Sequence, residues 1–525
     1  MPIYTVELQG HDGSGVVTFY AASDTFNTQP GDAPANQHFH PSLETPANFE
    51  RALFSAGATT GEASIGFGEI VLANAHGRYD AWPDIAFDGR PCIVKTITTD
   101  PVSGAPLWPY KDAPVLLRGT VESVDLTDVF STVRLRLYDR LADLDQPLQT
   151  ARYGGTTTAG GQGADGTADL KDTPKPRVYG RKSNVVPIDV NPFDLIRQVS
   201  DRACASIVVY DGGLALTSAG DLATVAALTA ATVAPGQYAT ALSLGLFRLG
   251  GAPASIVTAD VVASGGASAA AIARQMLLDA GFAPAELDGA SFDALQAKNG
   301  APCGLALSGD ESVLGAVTRV LRSVGGWIVP DGSGVFSVGR LELPTGEPIA
   351  AFQEWQCRGE IERLAPSDSN RGVPAYRVVV RYGQLGRVQG DNEVAGAVAA
   401  ERRAALTIEW RQAAAENAAV KSRFLQSQEI SFDTCLVNAA DALAEAQRLL
   451  AIYSVRRDVW RIRVDMAGLD YRTDGGAGEP FAMQIGLGRT VSLSVDRFLN
   501  PARNFVVIGR VEDCVNNRIQ FDLWG

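Results

Sequence analysis

Short runs in which apolar and polar residues alternate, each cut off by Gly, Pro, Asp or Asn, constrain this 525-residue chain more than any other feature. The first 150 residues hold TVELQG, GVVTFYAA, GEIVLAN, PCIVKTITT, PVLLRGTVESVDL and STVRLRLYDRL. A period of two puts successive side chains on opposite faces, so each run reads as a β-strand bounded by turn residues. In the last run Val133, Leu135 and Leu137 alternate with Arg134, Arg136 and Tyr138, giving one face for a core and one charged face. The far end repeats the pattern in VWRIRVDM, TVSLSV, NFVVIGRVED and RIQFDLWG, a closing meander.

Between these ends the period changes. GASAAAIARQMLLDAGF spaces Ile272, Met276, Leu277 and Phe282 as one helix face and stops at Gly281. GDESVLGAVTRVLRSVGG places Asp310 and Glu311 before Arg319 and Arg322, the order that suits a helix dipole. A third helix is expected over 439–453, and the alanine-rich stretch 394–421 reads as helical throughout. NPFDLIRQV reads as a short helical turn, and Asp331-Gly332-Ser333-Gly334 as the bend of a hairpin.

The fold class expected is therefore α+β and β-dominated, multidomain, with β-barrel-like modules at both ends and a central helical insertion. The divisions are an N-terminal β domain (1–152), a Gly/Thr/Pro-rich linker or exposed loop (153–176), a second β segment (177–260), a helical insertion (261–328), a β segment (329–392), a helical segment (393–456) and the C-terminal meander (457–525).

Composition narrows the function. Lys and Arg number 45 against 59 Asp and Glu, for a net charge of −14. Such a chain is a poor general nucleic-acid binder, because phosphate contacts need clustered cations. Nearly all the positive charge is arginine, which suits fixed ion pairs, although a GC-rich genome gives the same bias. The six cysteines are scattered with no CxxC and read as reduced, mostly buried residues. The N-terminus, MPIYTVELQGHDGSG, has neither a basic region nor an apolar stretch, so we expect no signal peptide. The uncharged run 222–247 could span a bilayer by length, but Pro235-Gly236-Gln237 breaks it, and two short segments around a turn fit better.

Motifs for chemistry are few. Gly161, Gly163 and Gly166 spell GxGxxG, but neither a strand before nor a helix after is expected, so we assign no cofactor. All four histidines, His11, His38, His40 and His76, lie in the first 80 residues. In a strand, His38 and His40 would share one face, where two ligands could hold a metal. Pro34, Asn36, Gln37 and Pro41 favour a surface loop instead, and no third ligand stands at a defined spacing. No metal or catalytic residue is assigned. His76 reads as a turn residue.

Several stretches in combination carry a resemblance. They are FGEIVLANAHGRYDAWPDIAFDGRPCIVK, LYDRLADLDQPLQTARYGGT, DLKDTPKPRVYGRKSNVVPIDVN, FRLGGAPASIVTADV, VGGWIVPDGSGVFSVGRLELPTG, AAERRAALTIEWRQA, LLAIYSVRRDVWRIRVDM and the terminal FDLWG. In this order, over almost the whole chain, the sequence is similar to the tail-tip or baseplate hub proteins of long-tailed, non-contractile bacteriophages and prophages. It departs from them in GLDYRTDGGAGEPFAMQIGLGRT, which is richer in loop residues.

The resemblance implies a virion structural protein without catalysis or cofactor, made in the host bacterial cytoplasm and placed at the tail tip. It implies a homotrimer that closes the tail tube below the tape-measure protein. It also implies contacts with the tube or distal tail protein and with baseplate and fibre proteins, no integral membrane span, and phage DNA only in transit. An acidic lumen would let that DNA slide. Alternatives are a distal-tail ring, a receptor-binding tip protein, or a tail-associated cell-wall or polysaccharide hydrolase using paired carboxylates. Candidate contact residues are Arg134, Arg136, Arg461 and Arg463 on alternating strands, the 153–176 segment, and His38 and His40, whose imidazoles could make assembly sensitive to pH.

Overall fold

A computed structural model of the chain describes residues 3–55, 57–100, 105–106, 108–128, 130–160, 163–368, 371–466 and 484–525. The N-terminal strands are β1 (Ile3–His11), β2 (Val16–Ala22), β3 (Phe26–Asn27), β4 (His38–Pro41), β5 (Leu43–Ala52), β6 (Phe67–Ala73), β7 (Pro91–Ile97), β8 (Val115–Asp125) and β9 (Thr132–Asp139). They run β5-β6-β9-β8-β7-β1-β2-β4-β3 across one sheet. The alternation in β9 works as its sequence suggests: Val133, Leu135 and Leu137 are fully buried, while Arg134 and Arg136 face out.

The sheet does not end at β5. Leu499–Asp513 pairs antiparallel with it, and Arg518–Trp524, Val459–Asp465 and Glu362–Leu364 follow in turn. With Thr490–Val495 and Ala351–Gln353 the sheet reaches fifteen strands. The two ends of the chain, separate β modules in the sequence reading, thus form one continuous sheet. One large apolar cluster lies against it, including Phe49, Leu137, Phe352, Ile462, Phe505 and Phe521.

The middle of the chain grows out of this frame. Arg177–Val185 and Cys204–Asp211 flank Val257–Ala263 in one five-stranded sheet, and Gln237–Ala241 and Leu246–Leu249 belong to a second. Helices Ala269–Asp279, Gly289–Lys298 and Val313–Arg322 pack around the hairpin of Gly326–Pro330 and Phe336–Arg340. Ser268 and Ser312 cap the first and third by accepting the amides of Ala271 and Gly315. Glu311 takes Arg319 Nη2 at 2.8 Å, so the predicted charge order is realised as an ion pair. Helix Ala439–Tyr453 covers the three-stranded sheet centred on Arg377–Tyr382. The result is a β-dominated α+β fold.

Four local readings change. The stretch 394–421 is not one helix. It contains helix Ala400–Leu406, then strand Arg411–Glu416, which pairs residue for residue with Arg377–Tyr382, then helix Ala418–Arg423. Alanine's helix propensity is weak compared with an open ladder and a place for Ala413 and Ala415 against the core. NPFDLIRQV is a turn leading into strand Ile196–Gln198 rather than helical. Asn191 Oδ1 accepts the amides of Phe193 and Asp194, and Leu195 takes a positive φ.

The segment 153–176 is pinned rather than loose. Tyr153 is buried and donates to Gln198 Oε1 at 2.7 Å, and Asp165 takes Lys175 Nζ at 3.0 Å. Gly161 lies outside the described residues; Gly163 and Gly166 sit in this loop, followed by a 3-10 turn at Ala168–Leu170. Finally, 38–41 is a strand and not an irregular loop, because β4 pairs in parallel with β2 and antiparallel with β3.

The run 222–247 forms helix Val225–Ala230, a turn, strand Gln237–Ala241, a 3-10 turn at Leu242–Leu244 and the start of strand Leu246–Leu249, more pieces than the two expected. Among the described residues no helix is long and apolar enough to cross a membrane. All six cysteines are free thiols. Of the loop-rich departure, 468–483 lies outside the described residues.

Candidate assembly surface

The outward face of the sheet carries arginines in rungs with carboxylates from neighbouring strands. Arg134 Nη1 meets Glu69 Oε1 of β6 at 3.0 Å, a diagonal contact two residues along from Val71, which stands directly opposite. Arg136 Nε lies 3.6 Å from Glu122 of β8. At the other end Arg461 stands opposite both Asp522 and Glu362, at 2.8 and 3.6 Å, and Arg463 reaches Glu362 at 3.2 Å. The Asp522 carboxylate, hydrogen-bonded to Arg461, holds its guanidinium pKa above the usual value. All four candidate arginines therefore have partners inside the chain. Such exposed pairs contribute about 0–1 kcal/mol each, so they shape the surface more than they stabilise it.

His38 and His40 share one face of β4, with ring centroids 6.4 Å apart at 85°. His38 Nδ1 bonds Asn27 Oδ1 at 2.9 Å. His40 Nδ1 is buried without a hydrogen-bond partner. Burial, followed by the charges of Arg78, His38 and His76, holds the His40 imidazole below its ordinary range. The turn after β6 thus brings His76 and Arg78 toward the pair, a grouping that sequence spacing does not reveal. A cavity of about 280 Å³, lined by Tyr20, Gln37, His38 and Arg78 among others, opens beside it. His11 has a local role instead: its Nδ1 accepts the amide of Gly13. Among the described residues no three His, Cys, Asp or Glu side chains are grouped to hold a metal.

Sequence reasoning passed over the exposed aromatics. Trp355 is 70% exposed and Phe498 56%. They occupy two turns joined by a hydrogen bond from the Asp496 amide to Glu354 Oε2 at 2.9 Å. Large aromatics left in water at loop tips are a common mark of contact surfaces. The signal was present in QEWQ, an aromatic between polar residues, and in DRFL, where one follows two charged residues.

No family model and no curated protein matches the sequence. Solved structures do resemble the chain. The tail protein from Neisseria meningitidis MC58 aligns over 99% of this chain and 96% of its own, at 10% identity and a TM-score of 0.39. The 43 kDa tail protein of prophage MuSo2 from Shewanella oneidensis aligns over 99% and 95%, at 10% identity and 0.38. A chain of the native gene transfer agent virion aligns over 73% of this chain and 91% of its own, at 15% identity and 0.41. Two of these three structures are tail proteins and one is a virion component.

Proposed function

We propose that the chain is a structural component of a bacteriophage tail, built into the tail tip as the hub that closes the tube below the tape-measure protein. The reading is carried by the ordered series of hub-like stretches along almost the whole sequence. The junction of β5 with Leu499–Asp513 supports it, because it turns the two chain ends, with strands Ala351–Gln353 and Glu362–Leu364, into one frame. A frame tied at both ends bears load between a tube above and fibres below better than modules joined by one strand of chain.

In this role the protein acts by assembly and by gating the DNA channel, and performs no chemistry. Three copies surround the channel, and the net charge of −14 keeps phosphate from sticking to the wall. The exposed turns at Trp355 and Phe498, and the histidine face of β4, are the surfaces offered to neighbouring proteins. The protein is made in the host cytoplasm and ends in the virion. Immunogold labelling of purified particles tests this placement. Gold at the tail end far from the capsid is the expected result; gold along the tube, on the capsid, or absent from particles would overturn it.

A further inference from the structure

The junction that joins the two ends of the chain also sets two arginines against each other. Arg51 of β5 and Arg510 stand directly opposite in the ladder. Like charges at such positions repel, and here both residues are only 8% exposed. They sit where the two main apolar clusters meet. Leu53 and Ile508 belong to one cluster, and Phe49 and Cys514 to the other.

Among the described residues one carboxylate pairs with them. Glu512 Oε1 lies 2.8 Å from Arg510 Nη2 and 3.9 Å from Arg51 Nη2. Arg51 Nη2 also donates to the Leu116 carbonyl, and Arg510 Nη1 to that of Ile485. Among the described residues the Nε of each arginine is buried with no acceptor. Asp139 is the other nearby carboxyl, and burial pushes it up to about 7, so it supplies only part of a charge at neutral pH. Burial also pulls the Arg510 guanidinium below its ordinary range. Two buried cations thus share little more than one anion, an arrangement that is expensive unless something else supplies negative charge.

A cavity of about 630 Å³ opens onto the pair. Five cationic side chains line it against two carboxylates, in a chain that is strongly acidic overall; of the five, Arg340 pairs with Glu342, and Arg51 and Arg510 share Glu512. The two carboxylates, Asp288 and Asp331, are committed to local turns, accepting the amides of Ser291 and Val335. Lys298 and Arg489, both exposed on the cavity wall, make no ion pair among the described residues. Trp327 lines the same wall, and among the described residues its buried Nε1–H has no acceptor. Its ring lies in a slot between Gly339 and Gly488, where any Cβ would strike it.

We infer that this cavity binds an oxyanion, a carboxylate or phosphate group, held by the Arg51–Arg510 pair with Lys298 and Arg489 at its mouth. Planar guanidinium forks match the oxygens of such groups. The inference is independent of the tail-tip reading.

Calorimetric titration of the full chain at constant ionic strength tests it, with inorganic phosphate and succinate as probes and chloride as control. Saturable binding of one equivalent per chain is expected. Arg51→Met keeps the closer Arg510–Glu512 pair, and we expect it to fold and to bind about 10-fold or more weakly. Lys298→Ala with Arg489→Ala changes only exposed side chains and is expected to weaken binding about 3-fold or more. Binding of phosphate alone assigns a phosphate site, and binding of succinate alone a carboxylate site. No saturable heat with either anion up to about 10 mM, a weak limit on the affinity scale, overturns the inference. So does binding that neither variant weakens.

Discussion

Two sets of arginines lie on the same sheet and meet opposite fates. On the outer face Arg134, Arg136, Arg461 and Arg463 each find a carboxylate on an adjacent strand, the first two exposed and the last two half-buried. At the β5 junction Arg51 and Arg510 face each other in the core over a single Glu512. The outer rungs are balanced where balance is worth little, and the inner rung is unbalanced where imbalance is costly. Charge on the outside of this molecule is finish, whereas charge at the seam is where energy is concentrated.

The sharpest way to break that contrast is Glu512→Gln. It leaves two buried guanidiniums with no full carboxylate, and we expect a loss of about 3–5 kcal/mol in urea unfolding. A loss under about 1 kcal/mol would place the inner rung in the same class as the outer ones.

Asp139 comes next. Its folded-state pKa of about 7 lies above its ordinary value of 3.8, so the folded chain holds a proton that the unfolded chain releases between those values. Its contribution is complete below about pH 4 and is lost as pH rises to about 7, at up to about 1.4 kcal/mol per pH unit. Asp139→Asn should flatten that slope in unfolding curves collected across this window. An unchanged slope would move the titration to another group.

His40 has the opposite sign. Its folded pKa is depressed, so the unfolded chain binds the proton first and stability falls as pH drops below about 6.5. His40→Gln should remove that loss, at most about 1 kcal/mol near pH 6. Replacing both His38 and His40 by Gln and following assembly between about pH 6 and 7 tests whether the same face joins copies. Assembly with the same pH profile as the parent would reduce the pair to local structure. The smallest effect belongs to Arg134→Ala, about 0–1 kcal/mol and diminished by salt; a larger loss would mean that the outer rungs carry load.

The difference between the two sets also marks what the sequence could say. Period-two runs such as β9 were legible because burial alternates with every residue, and the helices at 269–279, 313–322 and 439–453 because apolar spacing and end signals agree. Helix Gly289–Lys298 was missed: only Phe292 and Leu295 of its ten residues are buried, too few for a pattern. The strand at 411–416 was hidden by alanine, whose side chain states a helical preference that the neighbouring ladder overrides. The junction itself has no local signal, because register between residues 48–52 and 509–513 is a property of the folded chain.

The candidate surface divides in the same way. Arg134, Arg136, Arg461 and Arg463 could be picked out by alternation, but their carboxylate partners lie on other strands. His38 and His40 were visible as a pair, whereas the approach of His76 and Arg78 needed the turn after β6. The arginine that interrupts the apolar run 505–511 hints at Arg510, whereas Arg51 follows Glu50 and reads as an ordinary charged position.

The central claim is that this chain is a tail-tip hub, and the symmetry of the assembled tip tests it most directly. Cryo-electron microscopy of the intact tail should show three copies coaxial with the tube, immediately below the tape-measure protein, with an acidic channel wall. Six copies in a ring would instead make the chain a distal-tail ring protein, and a single off-axis copy or a basic channel wall would contradict the account.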